Sequence, residues 1–187
     1  MKDQKKNQYQ NFYVITGGPG VGKTSVIAEL SQCGYSIAIE DARRIIREQI
    51  EIQGDGLPWR NKSLYAQLML EASIETYQRI NADLQSEKVF FDRGILDTLC
   101  YMNMEQIPIP SEVDKLISDY PYNRRVFILP PWEEIYKTDN ERKQSWDEAI
   151  HTFDMMKQTY LHYGYEVIEV PKNSIKDRCQ FILSQIQ

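Results

Sequence analysis

The sequence predicts an α/β domain built on a parallel five-stranded sheet, and three observations carry the prediction. Five short apolar runs recur along the chain: FYVIT (12–16), YSIAI (35–39), KVFF (88–91), RVFIL (125–129) and YEVIEV (165–170). Segments with helical spacing separate them, the pattern of a parallel sheet covered by helices on both faces. A glycine-rich loop, GGPGVGKT (17–24), follows the first run directly.

The helices can be argued one by one. VIAELSQC follows the loop, and Gly34 is placed to end that helix. Between Asp41 and Ile52 the apolar residues fall at 42, 45, 46 and 50, and from Ser63 to Leu84 at 64, 68, 70, 74, 77 and 80. GDGLP (54–58) separates the two as a mobile loop. PSEVD (110–114) reads as a helix start with Ser111 as cap. SWDE (145–148) has capping-box spacing, and the helix it opens should run to about Tyr163, where Gly164 stops it. Ser174 and Asp177 repeat the pattern for the last helix. The 187 residues form one expected domain, 1–187, with residues 1–10 flexible.

Composition narrows the function classes. A formal net charge of −5 with no long basic stripe argues against a nucleic-acid partner. The longest early apolar run, FYVIT, is too short for export or membrane spanning. Cys33, Cys100 and Cys179 are odd in number and widely spaced, neither a zinc pattern nor a disulfide framework. A reducing, cytoplasmic setting is expected.

The chemistry starts at the loop. Residues 17–24 fit G-x-x-x-x-G-K-[ST], which needs a strand before it and a helix after it. Backbone N–H groups can surround a polyphosphate only where side chains do not intrude, which is why Gly17, Gly18, Gly20 and Gly22 recur, with Pro19 and Val21 between them. Lys23 is expected to reach the outer phosphates, Thr24 to ligate magnesium, and Ser25 to complete the nucleotide-binding stretch.

Asp92 ends the apolar run KVFF, at the sheet edge where ligands bind in open α/β folds. It can hold magnesium, act in catalysis or merely cap a turn. Arg93 can meet a phosphate or the substrate, or else pair with Asp97 or another acid. Glu40 and Asp41 lie at the same edge by the same argument, as proton acceptors, substrate ligands or helix-start residues. Either Glu40 or Asp92 is the candidate base. Arg43 opens the next helix and is a second substrate or phosphate candidate. Finally, PPWEEIYKTDNERKQS (130–145) is a charged segment with a rigid start, and Arg142 is the candidate to close over a transferring phosphoryl group. The plain alternative is a solvated surface.

These motifs occur in a telling order: GGPGVGKT, then E-x-A-R (Glu40, Ala42, Arg43), DRGILD (92–97), PPWEEIY, D-x-x-R (Asp139, Arg142) and EA (Glu148, Ala149). Over residues 11 to 172 the chain resembles the NadR-like AAA ATPase/kinase domain family, typified by a ribosylnicotinamide kinase. The resemblance implies a phosphate-loop NTPase with a kinase-like lid and binding of ATP or GTP with Mg2+. It also suggests the strand order 2-3-1-4-5 typical of phosphate-loop kinases. RNKSL (60–64) is no guanine-reading N-K-x-D element, because Leu64 stands where the acid belongs, so ATP is preferred. The expected function is an ATP-dependent kinase for a small hydroxyl-bearing metabolite such as a nucleoside. The alternative is a nucleotide-switched regulatory or binding protein with slow hydrolysis. A kinase requires an acceptor pocket walled by residues 41–80; a switch requires an exposed partner surface.

Overall fold

The computed structural model describes residues 11–83, 87–135 and 145–186. Strands β1 (Phe12–Thr16), β2 (Ser36–Ala38), β3 (Val89–Asp92), β4 (Arg125–Ile128) and β5 (Glu166–Glu169) alternate with helices. The helices are α1 (Lys23–Gln32), α2 (Ala42–Glu51), α3 (Lys62–Asp83), α4 (Ile95–Met104), α5 (Val113–Asp119), α6 (Trp146–His162) and α7 (Ile175–Ser184). All strand pairs are parallel, and the sheet order is β2-β3-β1-β4-β5, as expected.

Alternation along β1 explains the two covered faces. Phe12 and Val14 point into one core with Phe91, Tyr77 of α3, Leu99 of α4 and Tyr160 of α6. Tyr13 and Ile15 point into the other, with Phe90, Phe127, Leu30 of α1 and Ile182 of α7. A strand buried on both sides has no polar position to spare, hence the unbroken apolar runs. Phe127 is fully buried at the centre of β4. Phe127→Ala should cost about 3–5 kcal/mol in urea unfolding, and a loss under about 1 kcal/mol would contradict this packing.

Register lines up the functional edge. Ile15 sits opposite Asp92, and Ala38 opposite Phe91. The ends of β1 and β3 are therefore level, and Glu40 follows β2 by two residues at the same edge.

Caps largely match the sequence. Ser145 accepts from Glu148 N at 3.3 Å while the Glu148 carboxylate accepts from Ser145 N at 2.6 Å. Gly164 takes φ +80° after α6, and Ser174 accepts from Asp177 N at 3.2 Å. The start of α5 differs. Its cap position is Glu112, one residue later than Ser111, and Val113 N donates to Pro110 O at 3.1 Å. The proline carbonyl takes the amide that a serine cap would have served.

Candidate nucleotide and acceptor site

The loop between β1 and α1 is shaped by its glycines. Gly17 has φ +144°, and a Cβ there would lie 2.8 Å from the Leu129 carbonyl oxygen. Backbone cannot give way as a side chain can, so only glycine fits. Gly22 has φ +80° and caps α1, where a Cβ would meet the Arg178 guanidinium at 2.8 Å. With no capping side chain, the first amides of α1 are left to an anion, and the helix end adds partial positive charge. Gly18 and Val21 are buried, whereas Pro19, Thr24 and Ser25 are exposed.

Lys23 is buried to 8 % exposure and pairs with Asp92; its Nζ also lies 3.9 Å from Glu40. One cation thus sits between two carboxylates. Arg93 is the other positive group. It has φ +70°, a left-handed backbone that costs a non-glycine residue on the order of 1 kcal/mol. Its amide donates to Ile15 O at 3.0 Å, extending the β1–β3 ladder by one residue. Its Nε lies 2.7 Å from Glu40, bent too far for a hydrogen bond, and its Nη1 lies 3.4 Å from Asp97. Burial opposes the Arg93 charge, but Glu40, Asp97 and Asp92 outweigh it and raise the guanidinium pKa above its ordinary value.

The structure thus brings Lys23, Glu40, Asp92 and Arg93 together at the strand ends. It also realises the plainer reading of Arg93, a pair with Asp97, alongside the Glu40 contact. Asp41 is occupied elsewhere: Arg44 donates to it at 2.8 Å and Thr76 at 2.7 Å, tying α2 to α3. Arg43 is exposed on the first turn of α2. Arg142 and Asp139 lie outside the described residues.

Two clefts flank this centre. One is bordered by Glu40, Met69, Ser73, Thr76, Asp92, Arg93 and Tyr122. Met69, Ser73 and Thr76 on its border fall within residues 41–80, and the rest of its wall comes from the ends of β2 and β3, α4 and Tyr122. The other adjoins Gly20, Gly22 and Ser25 and is walled by Trp132, Asn173 and Arg178. Arg178 was not legible in the sequence. It is 2 % exposed, donates from Nη2 to Val21 O at 2.9 Å, and lies 5.9 Å from the Trp132 ring centre. Its Nε lacks a hydrogen-bond partner among the described residues, and burial pulls its pKa below the usual value. The Pro-Pro-Trp opening was visible; the arginine one turn beyond the Ser174 cap gave no signal.

Magnesium can be tested against these groups. Among the described residues there is no cluster of three His, Cys, Asp or Glu side chains able to hold a metal. Asp92 and the exposed Thr24 hydroxyl instead supply two oxygens, which suits a cation that takes its remaining ligands from phosphates and water. The residues fit.

The family model for the AAA domain matches residues 12–178. The chain belongs to this AAA domain family. No curated protein matches its sequence. Among solved structures, the AAA domain resembles NadR in complex with NR at TM-score 0.70 and 17% identity, over 97% of this chain and 52% of that one. It thus spans about half of the NadR chain. The thymidylate kinase of Candida albicans matches at TM-score 0.62 and 18% identity, over 94% of this chain and 90% of that one. The deoxyadenosine kinase of M. mycoides with bound dATP matches at 0.57 and 15%, over 94% and 98%. At these identities the likeness shows a phosphate-loop, kinase-like fold shared with these proteins. No described helix of the AAA domain is long and apolar enough to cross a membrane.

Proposed function

We propose that residues 1–187 form one domain that transfers the γ-phosphoryl group of ATP to a hydroxyl of a small acceptor such as a nucleoside. The observation that carries this reading is the cleft beside Glu40 and Arg93. A phosphate loop alone would suit any NTPase, but here a carboxylate and a guanidinium, Glu40 and Arg93, border a separate pocket between α2 and α3. Such a pair can orient a hydroxyl and take its proton.

Residues 17–25 would wrap the phosphates, with Lys23 leaving Asp92 to meet the outer ones. That exchange would free Asp92 to hold magnesium with Thr24. Magnesium, when bound, would neutralise charge on the β- and γ-phosphates. Both carboxylates border the acceptor cleft; Glu40 is the stronger candidate base because Asp92 is the better metal ligand. The acceptor O–H would give its proton to Glu40 as its oxygen bonds to the γ-phosphorus. The bond from that phosphorus to the bridging oxygen breaks, and ADP leaves. Arg93 would meet the transferred group or the acceptor, and Arg142 remains the candidate lid arginine.

The base of ATP suits the cleft beside Trp132 and Arg178. Trp132→Ala should weaken AMP-PNP binding about tenfold, the scale of one base–aromatic stack, with the magnesium requirement unchanged. An unaltered Kd would remove the base from this cleft. The free, mostly buried cysteines agree with a cytoplasmic setting.

The rival switch reading draws on exposed Ile50, Ile52 and Trp59 near α2. Thermal melting separates the two. With Mg·AMP-PNP bound, at least one compound from a panel of nucleosides and sugars should raise Tm further, as a ligand specific to the folded state must. If none does, the acceptor-pocket reading fails.

A further inference from the structure

We propose that Asp97 is a positioning residue, a buried carboxylate that holds the Arg93 guanidinium rigid at the edge of the acceptor cleft. The inference rests on Arg93 serving as the cation of that cleft. Asp97 is only 5 % exposed, on the first turn of α4. A carboxylate so deep must be satisfied by donors, and this one is. Its Oδ2 accepts from Tyr160 Oη at 2.6 Å and from Gly94 N at 2.8 Å. Its Oδ1 accepts from Thr16 Oγ1 and faces Arg93 Nη1 at 3.4 Å.

The four donors come from different parts of the chain. Thr16 ends β1, immediately before Gly17. Gly94 and Arg93 link β3 to α4, and Tyr160 lies near the end of α6. Asp97 therefore joins the strand that feeds the phosphate loop, the residue that borders the acceptor cleft and a helix packed beside α4 on the same face of the sheet. Arg93 is gripped from two sides, Asp97 at Nη1 and Glu40 at Nε. An arginine on a left-handed backbone with both contacts set has few rotamers left. A loose arginine would pay that ordering cost each time an acceptor bound.

The plainer account makes Asp97 a helix cap for Gly94 N and nothing more. Asp97→Asn separates the two. Asparagine keeps an oxygen for Gly94 N from the same N3 position of α4. It loses the charge that holds Arg93 and turns an NH2 group towards one pair of donors. The readout is the 15N–1H signal of the Arg93 side-chain Nε–H, assigned by its loss in Arg93→Lys. In the wild type it should be resolved from the exposed arginines and slow to exchange. In Asp97→Asn it should move into their envelope and exchange about tenfold faster or more, while Mg·AMP-PNP binding stays within about twofold. Tyr160→Phe, which keeps the ring and removes one donor, should give a smaller shift in the same direction and guards against a poorly folded Asp97 variant. An Arg93 signal unchanged in both variants overturns the proposal. Phosphate transfer to a nucleoside mixture is scored separately: no transfer by the wild type would sink the kinase reading and leave the Arg93 result standing.

Discussion

Lys23→Ala should reduce ATP turnover by about 10²–10³, the usual cost of removing one preorganised charge from developing anionic oxygens. The structure adds a second consequence. Lys23 is the cation shared by Asp92 and Glu40. Removing it leaves Asp92 without its paired cation while Glu40 keeps Arg93, so the mutant should also melt lower. Asp92→Asn in the Lys23→Ala background should restore part of that stability without restoring turnover, because the surplus charge is gone but the phosphate ligand is not. Such non-additivity is expected of residues in one ion network. Turnover and melting both unchanged in Lys23→Ala would mean that the loop is not a working phosphate site.

Glu40→Gln should lower turnover by about 10²–10⁴, the range for a lost general base. Glutamine keeps the shape and one accepting oxygen, so Mg·ATP affinity should change little. The comparison with Asp92→Asn matters most. If Asp92 holds magnesium, its variant should need more magnesium for half-maximal turnover, whereas Glu40→Gln should titrate like the wild type. A shifted magnesium titration in Glu40→Gln alone would exchange the two roles. Because Glu40 also contacts Arg93, Glu40→Asp is a useful control: it keeps the base but shortens its reach, and should retain more activity than glutamine.

How much of this was legible in the sequence depended on whether the signal was local. The five apolar runs became five strands because a strand buried on both faces tolerates few polar residues. β2 shrank to three residues, as an edge strand paired on one side can. The loop, Asp92 and Glu40 could be placed at one edge because each follows an apolar run directly or by one residue. Helix α4 was a different matter. Ile95, Leu96, Thr98, Leu99, Cys100 and Met102 are all buried, so the helix is apolar nearly all round and shows no amphipathic period to detect. Ser111 failed as a cap because the Pro110 carbonyl competed for the same amide, a contact no spacing rule encodes.

The site followed the same division. Arg93 and Asp97 are one helical turn apart, and their pairing could be anticipated. Tyr160 reaches Asp97 across 63 residues, and Arg178 reaches Val21 across 157. Nothing in either residue's neighbourhood announces such a partner. Both act through tertiary packing of helices on the sheet, which only the fold supplies.

Phosphoryl transfer to a hydroxyl can be followed by 31P NMR. The protein would be incubated with Mg·ATP and pooled nucleosides, sugars and vitamins. A new phosphomonoester resonance should grow in step with ADP and be suppressed in Lys23→Ala and Glu40→Gln. Inorganic phosphate as the sole product, at a rate indifferent to the pool and to Glu40, would contradict it.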